Sequence, residues 1–319
     1  MASILVTGAT GFVGSHFCDY LLGQNIGEVH ATKRYRSPLF DLKDAISNSK
    51  FKLHECELRD FSSVYKLIDE IKPDYIFHFA AQGSVGVSWN YPITTIKDDV
   101  EMQVNIFESV KLLGLTPKIW IPGSAEEHGV IKPEDLPIKE SLPLKPISPY
   151  AVGKATQELL VYQYNASYKL PIYITRSFNQ EGPRRPDAFV ISSFAKQIAC
   201  IEKYDLEPII KVGNLEAKRD FIDVRDSVKA YWLIVDKGNP VDPYNVSSGT
   251  THAIQEVLDS LLSFSTKKIK VEQDPSRMRP SDIPELLGDN SKLKALGWKL
   301  EIPFEITLQD TLKYWRENA

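Results

Sequence analysis

A doubly wound α/β fold of Rossmann type, with a smaller interwoven α/β lobe toward the carboxyl end, is what this sequence predicts. Three observations carry that expectation. Short β-branched or aromatic runs recur through the first 180 residues with helix-like segments between them, the rhythm of a parallel sheet with crossover helices. A glycine triplet, Gly8, Gly11 and Gly14, follows the first of those runs and opens the first helical segment. After Gly182-Pro183 the texture changes, with proline, arginine and loop residues becoming frequent.

Taken in order, strands are expected at 3–6, 28–32, 51–54, 75–79, 118–121 and 172–176, each a compact apolar run. Helices are expected at 14–22, 64–71, 94–113 and 149–168, where apolar residues fall at three- and four-residue intervals. The proline-rich stretch 133–149 reads as an ordered surface loop leading into the last of these helices. The domain reading is therefore 1–180 for the Rossmann unit and 181–319 for the smaller lobe. Residues 220–248 are expected to return to the larger sheet, because Phe221-Ile222-Asp223-Val224 precedes an apolar helical stretch and then Tyr244-Asn245-Val246.

Composition excludes several classes. The 319 residues are 43% hydrophobic and 25% charged, enough for a sizeable core. Basic and acidic residues number 38 and 42, so the net charge of −4 offers no footprint for nucleic acid. Cys18, Cys56 and Cys200 have neither the pairing nor the spacing of a disulfide framework or zinc site, which fits a reducing cytoplasm with no metal. No run of about 18 uncharged apolar residues is present, so no membrane span is expected.

The run Thr7-Gly8-Ala9-Thr10-Gly11-Phe12-Val13-Gly14 has the makings of a dinucleotide cradle. Glycines at these points let the backbone turn tightly, approach a pyrophosphate and pack on the sheet, with a helix N-terminus facing the anion. The second strand ends in Lys33-Arg34-Tyr35-Arg36 where NAD sites usually place an acid; Arg34 and Arg36 would instead welcome a 2′-phosphate, favouring NADP, with NAD left open. Glu57 and Leu58 follow the third strand, at reach of an adenine. Ala80, Ala81 and Gln82 end the fourth with small residues past which a dinucleotide can run.

The reacting centre is expected at Tyr150 and Lys154, one helical turn apart behind Pro149. An ammonium near a phenol favours the phenolate, so Lys154 is expected to draw the Tyr150 pKa down and let it take a proton from a hydroxyl. Ser124, at the end of the fifth strand, is placed to hydrogen-bond the same oxygen. Glu126 reads as a base able to remove a proton beside a ketone, with the neighbouring Glu127 open to the same role; His128 reads as structural.

These residues resemble the extended short-chain dehydrogenase/reductases acting on nucleotide sugars. The resemblance rests on TGATGFVG, GSAEEHG, SPYAVGK, RSFNQEGPRR, VGNLEAKRDFIDVRD, YNVSSG and RMRPSDIP, and it covers essentially the whole chain. Within that family the likeness is to GDP-mannose 4,6-dehydratases and their sister GDP-4-keto-6-deoxy-mannose reductases. EGPRR followed by DAFVISSFAKQIA, and the turn KRYRSP, look more like the dehydratases. The likeness implies a GDP-sugar substrate, internal hydride transfer through bound NADP, and a homodimer built through two helices per subunit. It implies substrate contacts at Ser84, Asn179, Arg184, Arg185, Val190, Lys196, Asn214, Arg219 and Arg279, the arginines suiting a diphosphate. The departures are Ala125, where the dehydratase pattern has a polar residue, and Gly153, where a serine is common. A 4-keto reductase, an epimerase and a non-enzymatic NADP-binding sensor or scaffold remain as alternative readings.

Overall fold

The structure, a computed structural model, describes residues 1–278 and 283–319. Thirteen strands are described: β1 Ala2–Thr7, β2 Gly27–Lys33, β3 Phe51–Glu55, β4 Tyr75–His78, β5 Lys118–Ser124, β6 Ile172–Ser177, β7 Asn179–Glu181, β8 Ile209–Val212, β9 Lys218–Asp223, β10 Tyr244–Val246, β11 Thr251–Ala253, β12 Lys270–Gln273 and β13 Glu285–Leu286. The helices among the described residues are α1 Phe12–Gly23, α2 Lys43–Ile46, α3 Phe61–Ile71, α4 Val85–Asn90, α5 Pro92–Leu112, α6 Pro149–Tyr168, α7 Val190–Tyr204, α8 Val224–Lys237, α9 Ile254–Ser263, α10 Ser291–Ala295 and α11 Phe304–Asn318.

Seven strands form one sheet in the order β10-β6-β5-β4-β1-β2-β3, every pairing parallel. Its strands are apolar on both faces, as a sheet covered by helices on both sides must be. Ile4, Val6, Val29 and Phe77 pack with Phe17 and Leu21 of α1 and Tyr231 and Ile234 of α8. The alternate residues Leu5, Ile76, Ile119 and Ile172 pack with Ile68 of α3, Phe107 of α5 and Val161 of α6. The order reverses between β1 and β4, and at such a switch point an open crevice forms at the strand carboxyl ends.

The smaller lobe holds β11-β9-β13 with β7 beside β9, and a separate pair β12-β8. Its core joins Phe194 and Ile198 of α7, Val257 and Leu261 of α9 and Leu308 and Leu312 of α11. One expectation needs correction here. The return to the large sheet begins with α8 and is completed by β10 on β6, whereas β9 stays in the small sheet. The physical reason is Asp220, buried in β9, whose carboxylate accepts N–H groups from Ser248 at 2.7 Å, Gly249 at 3.0 Å and Gly288 at 3.2 Å and so ties the strand to its own lobe. No helix among the described residues is long and apolar enough to cross a membrane.

Candidate active site

The crevice is built first by glycine. Gly8 follows β1 with φ +67°, and a Cβ placed there would lie 2.5 Å from the nitrogen of Ala80, just beyond β4. A Cβ on Gly14 would lie 2.3 Å from the Gly8 carbonyl oxygen. The two strands therefore close onto the first turn of α1, whose N-cap is Gly11, with no side chain capping its free N–H groups. A cradle that any side chain would fill, with open amides at a helix N-terminus, fits the pyrophosphate of a dinucleotide. Gly8→Ala should cost about 1–3 kcal/mol in local strain and weaken dinucleotide binding at least roughly tenfold. Calorimetric titration with the cofactor checks this, and unchanged affinity would remove the cradle from the site.

The segments expected at an adenosine are less uniform than the sequence implies. Arg34 and Arg36 stand exposed at the tip of the turn after β2, the Arg36 guanidinium 5.7 Å from the Tyr35 ring centroid. Lys33 is instead paired with Glu55 at 2.8 Å. Glu57 is held by Arg59 through two hydrogen bonds of 3.0 Å, and that partner keeps its carboxyl below the usual range. Leu58 is buried in the core beneath α3. Gln82 has its backbone N–H on Asp99 at 2.9 Å and its side-chain oxygen on the Ser84 amide at 2.8 Å, which orders the segment leading into α4.

At the other side of the crevice, α6 starts where the sequence signals it. Ser148 caps the helix through the Ala151 amide at 3.2 Å and Pro149 occupies its first turn. Tyr150 is half-buried and its hydroxyl is hydrogen-bonded to Ser124, which is itself 6% exposed at the end of β5. The Lys154 ammonium lies 5.8 Å from the Tyr150 ring centroid. It donates to Gln157 Oε1 at 2.9 Å and lies 4.0 Å from Asp99, in a layer closed by the Gln157 amide on the Asp99 carbonyl. His78 borders that layer, its Nδ1 2.7 Å from the Thr7 hydroxyl.

The expected depression of the Tyr150 pKa is not what the structure shows. Burial pushes the phenol up; the Ser124 hydrogen bond opposes that, while the charges of Asp99, Glu127 and Glu126 add to it. Burial likewise lowers the Lys154 ammonium against the pull of Asp99 and Glu127. In the chain alone, desolvation outweighs the neighbouring cation, whose direct partners are Gln157 and Asp99.

The two glutamates after Ser124 separate clearly. Glu127 is fully buried and accepts the Ser124 amide at 2.6 Å, forming a capping box with it. Glu126 is half-buried and near enough to Tyr150 for its charge to act on the phenol. Ala125 packs into a small apolar cluster with Ile138, Phe178, Ile283 and Leu286. His128 is buried against Arg176 at 3.4 Å, and burial lowers its pKa to about 4.

Of the residues expected at the substrate, Asn179 on β7 and Arg219 on β9 share the small sheet, in which β7 runs beside β9. Arg219 is 8% exposed and donates to the Lys218 carbonyl at 2.9 Å. Val190 opens α7, and Asn214 takes the Glu216 amide at 2.9 Å. Lys196 is paired with Asp187 at 2.6 Å. Arg184 is paired with Asp19 of α1 at 2.7 Å and so ties the lobe to the cradle helix, while Arg185 is paired with Glu181 at 3.2 Å beneath the Phe189 ring and meets α1 through the Phe12 ring, its guanidinium 5.3 Å from that centroid. Arg279 lies outside the described residues. Sequence reading missed Asp99, Gln157, Glu158 and Arg176. Gln157 carried a signal, since three residues from Lys154 on a helix places it on the same face; Asp99 carried none, being on another helix.

A sequence profile of the family described as GDP-mannose 4,6 dehydratase matches residues 5–311. The chain is 34% identical to GDP-mannose 4,6 dehydratase 2 of Arabidopsis thaliana, over 94% of this chain and 83% of that one. It is 29% identical to the GDP-6-deoxy-D-mannose reductase of Pseudomonas aeruginosa, over 99% and 98%. Among solved structures it is similar to RMD from Pseudomonas aeruginosa complexed with NADPH, with a TM-score of 0.85, 28% identity and 100% of both chains covered.

Proposed function

Since the chain belongs to the GDP-mannose 4,6-dehydratase family of extended short-chain dehydrogenase/reductases, with a nicotinamide cofactor and a nucleotide-sugar substrate, we propose that it catalyses the dehydration of GDP-mannose to GDP-4-keto-6-deoxy-mannose. The observation that carries this reading is the placement of Glu126: a half-buried carboxylate on the turn after Ser124 whose charge acts on Tyr150, while its neighbour Glu127 is committed to the Ser124 amide. A dehydratase needs a base for the C5 proton, and a simple ketone reduction does not.

In this reading Tyr150 takes the proton of the C4 hydroxyl, with Ser124 holding that oxygen in line. Glu126 removes the C5 proton, acidified by the C4 ketone; of the two protons then held by Tyr150 and Glu126, one leaves with the C6 hydroxyl as water and the other returns to C5. Held by the glycine cradle at Gly8, Gly11 and Gly14, a nicotinamide dinucleotide would supply the hydride acceptor and donor that this internal oxidation and reduction needs. Lys154, with Asp99 and Gln157 behind it, fixes the polar floor under Tyr150. Asn179, Arg219 and Arg279 are proposed for the sugar diphosphate, with Ser84, Val190 and Asn214 at its edges. Thus residues 1–180 with 224–246 would hold the cofactor, and the remainder the substrate.

NADP is the proposed cofactor, supported by the exposed Arg34 and Arg36. Replacing both by alanine is expected to weaken NADP about 10- to 100-fold while changing NAD little; equal losses for the two would remove the 2′-phosphate contact. A homodimer is proposed through α5 and α6, which leave Leu112, Leu159 and Tyr162 at 60%, 66% and 67% exposure.

The test is GDP-mannose with a catalytic amount of NADP, the product read by mass spectrometry. A product lighter by one water supports the dehydratase. The second reading, a 4-keto reductase, is favoured by the apolar Ala125 and by the 98% coverage of the reductase relative. It requires no reaction until a 4-ketosugar and stoichiometric NADPH are supplied.

A further inference from the structure

The turn that carries Ser124 and Glu126 holds a second carboxyl, Glu127, which the chemistry above leaves unused. Its Oε1 accepts the Ser124 amide at 2.6 Å and lies 2.8 Å from where a Cβ on Gly123 would stand, so the glycine makes room for it. Its Oε2 is buried, has no N–H or hydroxyl donating to it, and faces the carboxylate of Glu158 on α6. Arg176 of β6 forks onto Glu158, Nε to Oε2 at 3.0 Å and Nη2 to Oε1 at 2.6 Å. Its Nη1 goes to the Glu140 carbonyl at 2.7 Å.

Two carboxyls thus face each other, Glu127 fully buried and Glu158 partly so, beside one guanidinium, and that cation is spent on Glu158. Like charges at such a site cannot both persist, and a proton shared between them removes the conflict. We propose that Glu127 is held protonated, donates its Oε2 proton to Glu158, and through that bond acts as a positioning residue for Ser124 and Glu126. The clamp joins three elements: the turn after β5, α6 and β6. Burial and the Glu158 charge push the Glu127 carboxyl well above the ordinary carboxylate range. The other groups facing it agree. His128 is lowered to about 4 by burial and supplies no cation near neutrality. The Glu140 carboxylate is turned to the Asn245 amide at 2.9 Å. Tyr150 and Lys154 lie within the influence of Glu127, so a neutral Glu127 leaves one negative charge fewer beside the phenol.

The proposal rests on the reading of Ser124 and Glu126 as reacting-site residues, and its test separates the two. Glutamine reproduces the protonated acid, its oxygen accepting from Ser124 and its amide donating to Glu158; leucine reproduces only the volume. On the full-length protein at neutral pH, the infrared difference between wild type and Glu127→Gln should show the C=O stretch of one protonated carboxyl group lost. With GDP-mannose, Glu127→Gln should keep kcat within about threefold, while Glu127→Leu should lose about 10²-fold in kcat with KM little changed. Raising the pH should ionise Glu127 and lower kcat in the wild type before it does so in Glu127→Gln. No carboxyl band assignable to Glu127, or a glutamine variant as impaired as the leucine one, overturns the proposal. If GDP-mannose is not turned over, the functional reading fails, and the infrared difference still decides where the proton is.

Discussion

Tyr150→Phe is expected to lower kcat by about 10²–10⁴-fold, the range that a positioned proton-transfer group contributes. The substitution removes one oxygen and leaves the ring that faces Lys154 in place. Stability should fall by only about 1 kcal/mol, the net worth of the lost hydrogen bond to Ser124. KM and cofactor affinity should stay near wild type, because neither the glycine cradle nor the small-sheet residues depend on the phenol. A variant that kept a tenth of the wild-type kcat would show that Tyr150 is not the proton acceptor. A variant that lost cofactor binding as well would point to a packing role. Burial and the nearby carboxylates push the phenol up in the chain alone, and positive charge brought into the crevice would act against that. Oxidised and reduced dinucleotide should therefore shift the Tyr150 titration differently, and ultraviolet difference titration against Tyr150→Phe measures that directly.

The large sheet was legible because its strands are buried on both faces and therefore read as continuous apolar runs, and because Ser148-Pro149 announces α6 at its first residue. The small sheet was not. Its strands β7, β11 and β13 are two or three residues long and carry no period; they exist through pairing with β9 and through the loops bound to Asp220. In the candidate site, spacing pointed to Tyr150 and Lys154 and position at a strand end pointed to Ser124, and the fold brings the three side chains together. Spacing could not separate Glu126 from Glu127, because adjacent residues of one type differ only in where the fold buries them. Nor could it find Asp99, which meets Lys154 only when α5 packs beside α6. The arginines of the EGPRR run were legible as cations but not as partners. Arg184 is committed to Asp19, a carboxylate that no local pattern linked to it, and Arg185 to Glu181, four residues back in the same run.

Glu126→Gln separates the two readings of the activity. A dehydratase must remove the C5 proton before water can leave C6, and glutamine, similar in size and without basicity, cannot do so. Dehydration of GDP-mannose should fall by about 10²–10⁴-fold, with substrate affinity nearly unchanged because the amide fills the same half-buried space beside Tyr150. Solvent exchange adds a second readout. In heavy water the wild-type product should carry deuterium at C5, since the proton removed there is later replaced from the site, and the variant should give no such label. A reductase has no step at C5, so under that reading Glu126→Gln would change the reduction of a 4-ketosugar only a few-fold and no C5 label would form in either protein. Persistent C5 labelling in the variant would assign the base to another group. Glu127 is the carboxyl nearest in sequence, but its oxygens are turned to the Ser124 amide and to Glu158 and away from that role. The outcome at Glu126 therefore tests the functional assignment through the residue on which it rests, independently of cofactor preference or oligomeric state.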